Sequence, residues 1–142
     1  MTKQPKQLTD YVPTPAVAAA IQMHLVEGKL TCPDAFVTAA QVRVAPGEIG
    51  QAADALGVRL ARCQLGLFGY AGKHGWHDGG VTDLPVPEGL EAAIAEAIDD
   101  DRHLTCARAW LLADRFGVTR LQLGWITESL KVKIVTCQLG AF

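Results

Sequence analysis

Apolar residues return at helical spacing three times in the first half of the chain and three times in the second. Over 15–26, Val17, Ala20, Ile21, His24 and Leu25 form one stripe. Thr14 precedes it as a capping residue, with Pro15 at the first helical position. Over 31–42, Ala35, Phe36, Ala39 and Val42 form a second stripe behind Thr31-Cys32-Pro33-Asp34, which reads as a cap with an acid near the positive helix end. Over 46–56, Ile49, Ala52, Ala53 and Leu56 form a third, stopped by Gly57. The period then changes. Val58, Leu60, Cys63 and Leu65 alternate, with a break of phase at Ala61-Arg62 that predicts a strand carrying a bulge. The same order follows later: helices over 87–98, 106–116 and 120–130, then a strand over 131–139.

The recurrence is written into the residues themselves. Cys63-Gln64-Leu65-Gly66-Leu67-Phe68 returns 74 positions later as Cys137-Gln138-Leu139-Gly140-Ala141-Phe142. Residues 11–68 and 85–142 align without a gap over 58 positions, 18 of them identical. They predict one structural unit used twice, with a lead over 1–10 and a glycine-rich connector over 69–84. A unit of this size hides little surface, so the two should pack on each other or the chain should form a homodimer. The strands that end the units have exposed edges, and pairing them with each other would satisfy both.

Within each unit the second and third helices meet the offsets of a helix-turn-helix. A small residue lets the helices cross, a glycine four positions on makes the turn, and apolar residues six and nine beyond seat the second helix. Ala113, Gly117, Val118, Leu123 and Ile126 fit throughout. Ala39, Val44, Ile49 and Ala52 fit as well, but Arg43 stands where the turn favours glycine and must take a left-handed conformation. With a helix before and a strand after, each unit resembles the helix-turn-helix or winged-helix DNA-binding class. The Cys-Gln-Leu-Gly ending is also similar to that of small uncharacterised prokaryotic proteins with two such units, a similarity that supplies no activity. The resemblance implies a mainly α protein with short β: two pseudo-symmetric helix-turn-helix units, each of three helices and a strand. It also implies a transcriptional regulator bound to double-stranded DNA, with the third helix in the major groove.

Charge decides which unit suits that role. The chain carries −2 overall with a pI near 6.0, a poor start for a nucleic-acid binder. Residues 71–104 hold eight acids and two bases, whereas 105–142 hold five bases and two acids. The second unit is therefore the better candidate. Arg120, Gln122 and Trp125 would face the bases, and Arg115, Lys131 and Lys133 the phosphates. The alternative is a protein-interaction or assembly module that has lost DNA binding, with Leu121 and Trp125 in an interface.

Other chemistry is weaker. Cys32, Cys63, Cys106 and Cys137 lack Cys-x-x-Cys spacing and read first as small buried groups, with a shared metal site or redox sensing as lesser readings. His74, His77 and Asp78 lie close together, but in a glycine-rich stretch that reads as a solvated loop. No phosphate loop or nucleophile elbow is present, so neither a catalytic set, a metal nor a cofactor is expected. The N-terminal residues lack the apolar core of a signal peptide and no run is long enough to cross a membrane, which predicts a cytoplasmic protein.

Overall fold

The computed structural model describes residues 11–142; the lead over 1–10 lies outside the described residues. The protein is mainly α with short strands. In chain order the elements are α1 (Pro15–Met23), β1 (Lys29–Thr31), α2 (Cys32–Val42), α3 (Pro46–Ala55), β2 (Arg59–Ala61), α4 (Leu90–Ala97), β3 (His103–Thr105), α5 (Cys106–Phe116), α6 (Arg120–Ser129) and β4 (Lys133–Val135). From β1 to β2 and from β3 to β4, every boundary repeats at the sequence offset of 74.

The caps form where the residue types predict them. Thr14 Oγ1 accepts from Val17 N, Thr31 Oγ1 from Asp34 N, and Thr105 Oγ1 from Arg108 N. The turns between α5 and α6 and between α2 and α3 both close on a left-handed residue: Gly117 at φ 68° and Arg43 at φ 60°. Arg43 thus holds the strained conformation that the missing glycine demanded. Ala39, Ile49 and Ala52 are buried, as are Ala113, Leu123 and Ile126, so the seats of both turns are filled as their offsets require.

The strands depart from expectation. They are three residues long, not eight or nine, and they do not pair with each other. β2 lies parallel to β1, with Leu30 opposite Leu60, and β4 lies parallel to β3, with Leu104 opposite Ile134. Parallel neighbours need a crossover, and the α2–α3 and α5–α6 pairs supply it. The short strands β1 and β3 escape a reading by period, since three residues carry no alternation to count. β2 and β4 stop early because Arg62 and Thr136 turn left-handed, at φ 51° and 55°, and lead the chain away.

Contacts divide the chain into two compact units whose limits are not those of the sequence repeat. The first unit joins described residues 11–63 to Gln138–Phe142, and the second is Gln64–Cys137. Each segment that begins Gln-Leu-Gly, from Gln64 and from Gln138, is therefore grouped with the helices of the other repeat, while Cys63 and Cys137 stay with their own. In the first unit Val17, Ile21, Leu30, Ile49 and Leu139 build the core; in the second, Leu65, Trp76, Leu90, Ile94, Leu104 and Leu123 do so.

Candidate functional site

The geometry of the visiting segments follows from one glycine in each third helix. Gly50 on α3 faces the main chain of Leu139: a Cβ built on Gly50 would overlap the Leu139 carbonyl oxygen and lie 2.8 Å from its carbon. Gly124 on α6 faces Leu65 in the same way, at 2.7 Å from the carbonyl carbon. Only a residue without a side chain admits main chain so close to a helix. Leu65 and Leu139 are then fully covered, at 0% and 2% exposure. Burying a leucine side chain stabilises by roughly 1.5–3 kcal/mol. Gly66 and Gly140 follow in left-handed conformations, which bend both segments alike. We refer to these two places as the α3 seat and the α6 seat.

The second unit adds a cover over α6. Trp76 is buried, and its indole Nε1 donates to the carbonyl of Leu65 at 2.8 Å. It packs tilted against Trp125, with ring centroids 5.6 Å apart, and His77 meets the edge of Trp125 at 5.5 Å. His74 stacks on the other ring neighbour, Trp76, at 4.5 Å. Gly79 lies so close to Leu121 that a Cβ there would overlap the leucine side chain. The connector is thus partly core and not the solvated loop its glycines predicted. Its glycines permit the close approaches to Leu121 and, at Gly75, to the ring of Tyr70.

This cover changes the standing of the residues expected to touch DNA. Gln122, expected on the exposed face, is buried, and its Nε2 donates to the carbonyl of Pro85 at 3.0 Å. Gln122 lies within α6, and the segment ahead of α4 covers it. Trp125 is half-buried beneath Trp76 and His77. Arg120 stacks over Trp110 at 3.7 Å from the ring centre, donates to Gln64 Oε1 at 2.7 Å and stands 3.9 Å from Asp114. Its guanidinium is occupied on a face and an edge. Arg115, Lys131 and Lys133 are exposed. Lys131 takes a left-handed conformation just past α6, and Arg102 donates to the carbonyls of Leu130 and Lys131. Lys133 sits on β4, whose backbone N donates to the Arg102 carbonyl. The structure thus draws Lys131, Lys133 and Arg102 together, and leaves Arg115 at the end of α5 beside Phe116.

In the connector, the rings of His74 and His77 pack against Trp76 and Trp125. A different trio was missed: Asp99, Asp101 and His103 offer ligand atoms within 4.8 Å of one another. Asp99 is already engaged there, accepting from the backbone N–H groups of Asp101 and His103. Cys32, Cys63 and Cys106 are buried and Cys137 is half-buried. His24 is satisfied by Gln41, at 2.8 Å. Among the described residues no helix is long and apolar enough to cross a membrane. No protein-family model, curated protein or solved structure matches this chain, so its function rests on the seats and the surfaces just described.

Proposed function

We propose that the protein is an assembly module on a helix-turn-helix framework, whose units receive an extended Gln-Leu-Gly segment on the third helix. The observation that carries this reading is the pair of seats. Gly50 and Gly124 each admit the main chain of a leucine that belongs, by sequence, to the other repeat. A surface already shaped for a segment from elsewhere in the chain has the geometry needed to take one from another chain. The cover over α6 supports the same reading, because Gln122 is buried on the Pro85 carbonyl and Trp125 packs against Trp76 and His77.

The test uses the full chain carrying Leu139→Asp, which removes the apolar anchor from the α3 seat. A fluorescent peptide of residues 137–142 should bind it saturably, and the same peptide with the aspartate should not. Hydrogen exchange on the unsubstituted protein provides a second reading, with the Leu139 amide protected along with α3. Absence of peptide binding to folded protein, or an unprotected arm, would remove the proposal.

A second reading, a DNA-binding regulator with tandem helix-turn-helix or winged-helix units, is favoured by one observation: Arg115, Lys131 and Lys133 are exposed in the second unit. With Gln122 buried and Arg120 and Trp125 half-buried, such binding would rest chiefly on phosphate contacts and discriminate little among sequences. It predicts duplex affinity that falls steeply with salt, with a slope reduced by about one when Lys133→Ala removes a phosphate contact. Affinity indifferent to both would exclude it.

A further inference from the structure

We infer that the α3 seat is a site for self-association, filled in a dimer by Gln138–Phe142 of a second copy of this chain. The inference rests on the assembly reading above and names its partner. Three observations lead to it.

First, the seat is complete without its occupant's repeat. Gly50, with Ile49, Ala52 and Ala53 beside it in the sequence of α3, belongs to residues 11–63, whereas Leu139 arrives from beyond the second unit. Second, the two occupants carry the same Cys-Gln-Leu-Gly sequence, and their glycines turn alike at φ 83° and 77°. The two seats therefore hold the same kind of segment, delivered in each case from the other repeat. Third, the segment leaves the second unit next to a bend, where Thr136 is exposed and left-handed at φ 55°. A change of backbone angles at a few residues there redirects the arm while both units keep their own helices. Exchange of an identical element creates no new contact and loses none, so it is an inexpensive route to a dimer. What opposes it is the effective concentration of the arm's own seat, in the millimolar range for a short connection. Exchange should therefore be promoted by high protein concentration and by conditions that release the arm, and be slow to reverse after dilution.

The decisive experiment is complementation between two full-length copies with different tags. One carries Leu139→Asp, an arm without its anchor and an intact seat. The other carries Gly50→Val, a blocked seat and an intact arm. Mixed at high concentration, released in mild denaturant and returned to buffer, they should form a mixed dimer with one arm exchanged. Neither copy alone should dimerise. Because either variant could fail to fold, unsubstituted protein with the two tags is treated in parallel. It should yield mixed dimers in a proportion that rises with the concentration during release. Unsubstituted protein that stays monomeric at every concentration after release and return would overturn the inference. So would folded variants that dimerise as readily alone as together. If the 137–142 peptide binds the Leu139→Asp protein while the copies never pair, the assembly reading stands and this inference falls.

Discussion

Arg43 shows how far one residue can be pressed by its neighbours. A left-handed arginine costs roughly 1–2 kcal/mol that a glycine does not pay. Ala39 and Ile49 are buried on either side of it, and Val44 N donates to the Ala39 carbonyl across the turn at 3.0 Å. Arg43→Gly should therefore raise stability by about 1 kcal/mol, less whatever the freer unfolded chain returns. Urea unfolding, read as a higher midpoint at unchanged slope, checks this; an unchanged or lower midpoint refutes it. Tyr11 offers a second test. Desolvation chiefly, and then the bond from its hydroxyl to Glu48 at 2.9 Å with that carboxylate's charge, raise its pKa above the ordinary tyrosine value. A tyrosine pKa raised in the folded state contributes stability that is fully present below the ordinary value and is lost as pH climbs through the raised one. An NMR titration of the Tyr11 ring should show late deprotonation, and Glu48→Gln should bring it only part of the way back. A ring that titrates like free tyrosine would contradict both causes.

Third helices and connector form a larger pattern. In α6, Gly124 opens one side to Leu65, while Leu121 and Trp125 are half-buried against the connector. Gly124→Val should cost roughly 1–3 kcal/mol or more by overpacking, since the obstacle is main chain and cannot rotate aside. Gly57→Ala is a useful comparison: no atom lies within 4 Å of its Cβ, so only its positive φ should be felt. Similar losses from the two substitutions would contradict the α6 seat. Trp76→Ala should cost about 3–5 kcal/mol, as expected for a buried aromatic. It should also shift Trp125 fluorescence to the red as water reaches that ring. Little change in either would mean that the connector is not core. Its role was hidden from a reading of composition, because glycine serves close packing as well as flexible loops. Nothing local distinguishes Gly75 and Gly79, which pack, from Gly72, which meets nothing within 4 Å.

For the molecule as a whole, the repeat was plain in the residues and its elements were mostly legible. Capping threonines, turn offsets and apolar stripes are local, so their physics is complete within a dozen neighbours. The helices of both halves and the left-handed turn at Arg43 could be read for that reason. Five pairs of left-handed positions even coincide at the 74-residue offset: 28 with 102, 43 with 117, 57 with 131, 62 with 136, and 66 with 140. In three of these pairs a glycine in one half stands against a charged residue in the other, so no glycine pattern could disclose them. Sequence fixed neither the parallel pairing of three-residue strands nor the partner of each Cys-Gln-Leu-Gly segment. The identity of Gly50 with Gly124, and of Leu65 with Leu139, marked these positions only as part of the repeat; the close approach of helix and main chain appears in the structure. Which occupant enters which seat depends on long-range packing, and two chemically equal segments carry no label to decide it. Tertiary structure alone assigned Leu139 to α3 and Leu65 to α6, and in covering Gln122 it also removed from solvent a side chain whose helical position had suggested DNA.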